Sequence, residues 1–217
     1  MPKVQVSANV IRRLPRYVRY LDQIASAGVK RVSSNEIGLQ MGLTASQIRQ
    51  DFNSFGEFGK PGYGYDVLEL RHHLAEILGM TENHTAVIIG AGNLGHALIR
   101  NFRFNYCGFS LSAIFDVAPN LVGTMLQGVP VYHIDTLEKY LSANSADVAI
   151  LTLPASQVNY VASRVAKAGV RGIWNFTNEE IAPAGGDVVV ENVHFSDSLL
   201  ALSYYLSNDI SQKEVKD

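Results

Sequence analysis

The 217-residue chain carries 18 Lys and Arg against 20 Asp and Glu, a net charge of −2, and 47% of its residues are hydrophobic. This is an ordinary globular composition with room for one large domain or two modest ones, and no N-terminal apolar stretch is long enough for a signal peptide or membrane span. The charge is uneven: residues 1–65 hold nine Lys and Arg against four acids, a net of +5, so the remainder carries −7, and the N-terminal part is expected to meet a polyanion.

Helical spacing of Leu14, Val18, Leu21 and Ala25 predicts a helix from Leu14 to Ala27, with Pro15 in its first turn and Gly28 ending it. Arg12, Arg16 and Arg19 share one side, as a solvated face or as a phosphate-contacting or interdomain stripe. Ser33 to Asn35 offer an N-cap for a short helix, Glu36 to Met41. After the Gly42-Leu43 turn, Thr44 and Gln47 form a capping box for a second helix buried through Ile48, Phe52 and Phe55. Two short helices about a glycine-containing turn are the signature of a helix-turn-helix. The exposed side of the second holds Ser46, Gln47, Arg49, Gln50, Asn53 and Ser54, which suit base edges and phosphates. Asp51 dissents there and is expected in an internal pair.

Four glycines and a proline interleave with aromatics between Gly56 and Tyr65, which reads as a hairpin or wing with Lys60 at its tip and Gly62 and Tyr63 beside it, suited to a minor groove. The bland alternative packs Tyr63 and Tyr65 into the core. Asp66 then caps a helix from Val67 to Leu78, closed by Leu68, Leu74, Ile77 and Leu78.

The strongest signal follows. Ala86 to Ile89 run into Gly90-Ala91-Gly92-Asn93-Leu94-Gly95, a helical pattern (Leu94, Ala97, Leu98, Phe102) begins at once, and a second strand, Leu111 to Phe115, ends in Asp116. The first glycine permits a tight turn, the second lets the backbone approach a pyrophosphate, and the third lets helix and strand pack closely. Asp116 suits the ribose hydroxyls of an adenosine and would repel a 2′-phosphate, so the pattern favours NAD(H) over NADP(H). Cys107 reads as a small buried thiol, with no second cysteine to resolve an oxidised form; a single cysteine agrees with a reducing cytoplasm.

Val129 to Tyr132 predict a strand, Thr136 to Leu141 a short helix, and the apolar run Ala146 to Leu153 a central parallel strand stopped by Pro154. A helix from Gln157 to Ala168 and strands at Gly172 to Phe176 and Val188 to Val190 follow. The last helix, Phe195 to Leu206, is apolar on more than one side, which points to docking on a second chain, the alternative being a cap on its own sheet. The fold class is therefore α/β: a winged helix-turn-helix domain (1–80), a Rossmann-like parallel-sheet NAD(H)-binding domain (81–194), and a dimerisation helix and tail (195–217).

In this order, Val32-Ser33-Ser34, Gln47 to Phe52, Phe55 to Lys60, Gly62 to Tyr65, Gly90 to Gly95, Phe115-Asp116, Ala168 to Val170, Asn175-Phe176 and Glu191 to Val193 resemble the bacterial Rex family of redox-sensing transcriptional repressors over essentially the full length. The resemblance implies a homodimer with crossed C-terminal helices that binds an inverted-repeat operator when NAD+ prevails and leaves it when NADH binds. It places a coupling arginine at Arg19 and a phenylalanine near the nicotinamide at Phe195. The arginine's usual tyrosine and aspartate partners fall on Asn101 and His194, a departure from the family pattern, and Asn53-Ser54 replaces the common Ser-Tyr. No metal site or membrane partner is implied. The competing reading is an NAD-dependent oxidoreductase with an accessory helical domain, and a third is a CoA-binding sheet, for which Asp116 is an odd choice.

Overall fold

The Ser7 hydroxyl accepts from the Val10 amide and starts α1, Ala8–Ser26, in the computed structural model, which describes residues 6–56, 58–59, 62–181 and 188–208. Pro15 therefore lies well inside the helix, not in the first turn as expected. Its missing amide and ring clash are tolerated because Val10, Leu14, Tyr17, Val18 and Leu21 form a buried stripe through it. Gly28, at φ +80°, ends the helix as expected. The chain then forms β1 (Arg31–Val32), α2 (Ser34–Met41), α3 (Ala45–Asn53), β2 (Tyr65–Asp66) and α4 (Val67–Ile77).

Both short helices carry complete capping boxes, Ser33 with Glu36 and Thr44 with Gln47. Hydrogen bonds from the Ser33 amide and hydroxyl hold the Glu36 carboxyl below the usual carboxylate range. The hairpin or wing expected over residues 56–65 falls partly outside the described residues. The partner of Tyr65–Asp66 is Arg31–Val32, paired antiparallel across α2 and α3, because Tyr65 is needed in the core against Phe52, whose ring it meets edge-on at 5.2 Å. Tyr63 stays 71% exposed. Asp66 caps α4 through the Leu68 and Glu69 amides, but Leu68 is exposed and Leu70 takes its expected place in the core. This first unit spans Met1–Glu82 and the second Asn83–Asp217.

The second unit alternates strand and helix: β3 (His84–Ile89), α5 (Asn93–Asn101), β4 (Phe109–Asp116), β5 (Met125–Leu126), β6 (Val129–His133), α6 (Leu137–Ala143), β7 (Val148–Leu151), α7 (Ala155–Lys167), β8 (Gly172–Asn175), β9 (Val189–Asn192) and α8 (Phe195–Ser207). The sheet order is β5-β6-β4-β3-β7-β8-β9, parallel throughout except for the β5–β6 pair. That pair turns on Gln127 and Gly128, both at positive φ, the geometry a two-residue hairpin requires. Succession leaves β3 in one direction through β4 and β6, and resumes on its other side through β7, β8 and β9. The carboxyl end of β3 is therefore a topological switch point, where such sheets bind ligands.

One face of the sheet is closed by α6 and α7 over Val87, Ile89, Phe115, Leu151 and Ile173. The other is covered over Ile88, Ile114 and Val131 by α5 and the 3-10 turn Phe104–Cys107. Trp174 and Phe176 stay partly exposed beside it. A cavity of about 360 Å³ opens there, lined by Phe102, Phe104, Cys107, Phe109, Ile150 and Trp174 among others. Cys107 is half-buried on the wall of this cavity, less enclosed than expected, and desolvation raises its thiol pKa. Helix α8 buries none of its residues: Phe195, Leu199, Leu200 and Leu206 are all more than 60% exposed.

Candidate functional site

At the switch point β3 passes directly into the glycine turn. The Gly90 amide donates to the Phe115 carbonyl at 2.8 Å, the Thr152 amide to Ile89 at 2.9 Å, and the Thr152 hydroxyl to the Gly90 carbonyl at 2.7 Å. Three strand ends are thus laced together beneath the loop. A Cβ on Gly90 would stand 2.5 Å from the Thr152 carbonyl oxygen, at a φ of +100° that side chains avoid; one on Gly95 would collide with the Gly90 carbonyl. Gly92 is different: a Cβ there meets nothing within 4 Å, so the space above it is open. The first and third glycines serve the protein's own packing, and the second leaves the backbone open to the close approach that a pyrophosphate requires.

Gly92 caps α5 without a side chain, and the first intrahelical bond is His96 to Gly92. The amides of Asn93, Leu94 and Gly95 therefore belong to the partnerless first turn, where a helix attracts anions. Within α5, Gly95 and Ile99 are buried, the expected Leu98 and Phe102 pack half-buried against the same cluster, and of the expected stripe only Ala97 is exposed. Asp116, at the end of β4, accepts from the Ala91 amide at 2.5 Å and the Ala118 amide at 2.8 Å. One loop amide is thereby spoken for, while each carboxylate oxygen keeps lone-pair capacity for a hydroxyl donor. Thr152, which clamps the loop from β7's end, carried no sequence signal beyond its place at the end of an apolar strand.

In the first unit, α3 is fixed by its one buried acid. Asp51 is 3% exposed and accepts from Arg13 Nε at 2.8 Å, Arg13 Nη2 at 2.7 Å and the Tyr17 hydroxyl at 2.5 Å, which locks α3 onto α1. Burial, and then the bond to Asp51, raise the Tyr17 pKa above the ordinary tyrosine range; Arg13's own bonds to Asp51 raise that of Arg13. The internal pair expected for Asp51 is present, though its partners went unrecognised. The opposite side of α3 exposes Ser46, Gln47, Arg49, Gln50 and Asn53. Ser54, at the C-cap, is half-buried and returns its hydroxyl to the Gln50 carbonyl at 3.0 Å. Arg31 donates to the Tyr63 carbonyl at 3.2 Å, holding the loop that carries exposed Gly62 and Tyr63. Lys60 lies outside the described residues.

The three residues expected at coupling positions lie on separate elements. Arg19 is exposed on α1, beside Arg16, which donates to the Met41 carbonyl. Asn101 ends α5 with its amide on the Ala97 carbonyl at 3.0 Å, and His194 occupies the N-cap of α8 without a capping bond. Phe195 lies against Phe176, beyond the carboxyl end of β8, with ring centroids 6.0 Å apart. Among the described residues no cluster of three His, Cys, Asp or Glu is placed to hold a metal ion, and no helix is long and apolar enough to cross a membrane.

Residues 5–53 match a family model described as a putative DNA-binding protein N-terminus, and residues 81–179 one described as a CoA binding domain. The redox-sensing transcriptional repressor Rex of Thermoanaerobacter pseudethanolicus is 46% identical over 214 residues, covering 99% of this chain and 95% of that protein. The Rex of Caldicellulosiruptor bescii is 46% identical over 212 residues, covering 98% and 97%. Among solved structures, RSP in complex with β-NAD+ and operator DNA superposes with a TM-score of 0.88 at 46% identity, covering 94% of each chain. RSP with β-NADH gives 0.87 at 44% identity, covering 94% of this chain and 96% of that one.

Proposed function

The chain belongs to the Rex family of redox-sensing transcriptional repressors, and on that premise we propose which of its residues hold the dinucleotide, the DNA and the second subunit. It is a transcription regulator, not an enzyme, so binding alone has to do the work. The observation that carries the cofactor assignment is the Asp116 carboxylate tied to the Ala91 amide at the switch point. Gly90 to Gly95 cradle the pyrophosphate of NADH or NAD+, with Gly92 giving the close approach, and Asp116 takes the adenosine ribose. Coenzyme A, named by the family model, carries a phosphate on that ribose, which the carboxylate disfavours.

The N-terminal domain, 1–80, binds an inverted-repeat operator through Ser46, Gln47, Arg49, Gln50, Asn53 and Ser54 on α3, with Lys60, Gly62 and Tyr63 in the wing. Residues 81–194 form the sensor and 195–217 the dimerisation segment, in a cytoplasmic homodimer. Support for the second copy comes from two surfaces of one unit: the apolar helix α8, none of whose residues is buried, and the apolar cavity beside Trp174. Two copies exchanging α8 would cover both, and would bring Phe195 of one protomer toward the nicotinamide of the other. Arg19, Asn101 and His194 occupy the coupling positions, with two of the three chemically changed from the family pattern.

Switching needs only a difference in NADH affinity between DNA-bound and free states. A coupling of about 1–3 kcal/mol changes operator affinity about 5- to 150-fold. A gel-shift titration at fixed salt tests it: NADH weakens operator binding far more than NAD+, sedimentation gives a dimer, and no substrate-dependent absorbance change appears at the nicotinamide band. Equal operator affinity with and without saturating NADH would refute the assignment.

A further inference from the structure

The glycine loop occupies the amino end of α5; a second recess of the same unit opens at the carboxyl end. It is a groove of about 720 Å³ bounded by the end of α5, the start of β4 and the β5–β6 hairpin. That volume lies within the range of small-molecule sites, about 300–1,000 Å³. Ile99, Phe102, Leu111 and Val129 form its apolar floor and belong to the cluster that covers one face of the sheet. Arg103, Asn105 and Gln127 stand exposed along it.

The polar groups of this groove are positioned but not consumed by the fold. The Arg103 guanidinium carbon lies 5.3 Å from the centroid of the Tyr106 ring, a cation–π contact that holds the charge in place and leaves its N–H edges to a ligand. It is the only charged side chain lining the groove, and among the described residues no acid pairs with it. Gln127 adopts φ +51°, a region suited to glycine or asparagine and strained for a longer side chain. Either of those residues would serve the turn alone; glutamine adds an amide that lines the groove. A solvated surface arginine would account for the charge but not for the strained glutamine at the same groove. One cation, two amides and an apolar floor suit a molecule with one anionic head and a short apolar body, because the guanidinium fork matches a carboxylate bidentately and the amide N–H groups can satisfy its remaining lone pairs.

We infer that this groove is a second small-molecule site, separate from that of the dinucleotide, for a monocarboxylic acid with a short apolar body. Arg103 holds the carboxylate, Asn105 and Gln127 orient it, and the floor from Ile99 to Val129 takes the hydrocarbon. The two sites lie at opposite ends of α5, whose nine residues span about 13 Å, so both can be filled at once. The inference stands independently of the DNA and dinucleotide assignments above.

The test is isothermal titration of the full chain with phenylbutyrate and with its neutral analogue phenylbutanol, each with and without saturating NADH. The wild type binds the acid with a Kd below about 1 mM, as expected for about a dozen non-hydrogen atoms. It binds the acid about fivefold more tightly than the alcohol, the upper end of an exposed ion pair, and NADH leaves that affinity within about twofold. Arg103→Gln brings the acid to the alcohol's affinity and leaves the alcohol unchanged. Gln127→Gly weakens the acid about threefold, the scale of one hydrogen bond, while the thermal midpoint does not fall, a split that a residue serving only the turn would not give. Val189→Ser, at an exposed residue lining the other cavity, changes neither ligand's affinity. No binding at about 1 mM, equal affinity for acid and alcohol, an Arg103→Gln variant that keeps the difference, a Gln127→Gly variant that binds the acid as the wild type does, loss of the acid in Val189→Ser, or its displacement by NADH overturns the proposal. Acid binding that follows this pattern in a chain that fails to bind NADH supports the groove and removes the dinucleotide assignment alone.

Discussion

Replacing Asp51 by asparagine tests whether the recognition helix is held by its buried ion pair. The carboxylate accepts three hydrogen bonds of 2.5–2.8 Å at a 3% exposed position. Asparagine keeps the shape but loses the charge, and sets an amino group against a guanidinium N–H, donor to donor. Breaking a buried pair costs about 3–5 kcal/mol. The Arg13 side chain is 28% exposed and can turn to water, so the expected loss is about 2–3 kcal/mol, at the low end of that range. With a urea slope of about 1 kcal/mol/M for a unit this small, the midpoint of the first unit falls by about 2–3 M. The single tryptophan, Trp174, lies in the second unit and separates the two transitions: its fluorescence curve stays in place while the circular-dichroism curve gains an early phase. Tyr17→Phe, which removes one bond, costs about 1 kcal/mol. The double variant Arg13→Met with Asp51→Leu recovers most of the loss, since a well-packed apolar pair of similar volume replaces a buried ion pair at little cost. Urea curves for Asp51→Asn that superpose on the wild type, or a double variant no better than the single one, would refute this account.

Gly92→Ala lowers the thermal midpoint only slightly, by the small loss of a glycine N-cap, because no atom stands within 4 Å of a Cβ there, yet lowers NADH affinity at least about tenfold in a fluorescence titration. Gly90→Ala instead lowers the midpoint itself, since its Cβ stands 2.5 Å from the Thr152 carbonyl oxygen at φ +100°. Asp116→Ala weakens NADH binding and raises the NADPH-to-NADH affinity ratio; an unchanged ratio in parallel titrations would exclude Asp116 as the ribose acid. The paired guanidinium of Arg164 holds the Glu138 carboxyl at about 2, below its ordinary 4.5, so its contribution is present above pH 4.5 and disappears as pH falls towards 2. Because that carboxylate is half exposed, Glu138→Gln costs no more than about 1 kcal/mol at pH 7, and the difference from wild type in chemical denaturation vanishes near pH 2.

Short-range chemistry made much of this fold readable. The capping boxes at Ser33 and Thr44, the Asp66 cap and the Gly90 to Gly95 turn each depend on residues within a few positions of one another, and each stands in the structure where the sequence places it. What failed depended on distant partners. Pro15 was read as a first-turn residue because no local rule says that a buried stripe starting at Val10 outweighs a lost backbone bond. The pairing of Tyr65–Asp66 with Arg31–Val32 had no signal in the sequence, because turn chemistry identifies a reversal but not every strand that joins it. Asp51 announced itself as anomalous on an exposed polar helix, but Arg13 and Tyr17, 38 and 34 residues earlier, had no pattern linking them to it. The β5–β6 hairpin was missed because Gln127-Gly128 is a weaker turn signal than Asn-Gly, though it adopts the same positive φ angles.

The loop and α3 share a logic that neither motif displays alone. Each is a short stretch in which some polar groups are consumed by the fold and the remainder point outward. At the loop, the Ala91 amide goes to Asp116 and the Gly90 carbonyl to Thr152, which leaves the first-turn amides of α5 over the open space at Gly92. On α3, exposed Gln47 and Arg49 bond to the neighbouring Thr44 and Ser34 hydroxyls, while Ser46, Gln50 and Asn53 face outward. The consumed groups set geometry, because a satisfied hydrogen bond between two elements fixes where the next side chain points. The unconsumed ones carry recognition, because a donor left over from folding costs nothing further to present. In a sensor that does no chemistry the whole response is a difference between two binding equilibria of about 1–3 kcal/mol. That is the scale of one or two such hydrogen bonds at about 1 kcal/mol each.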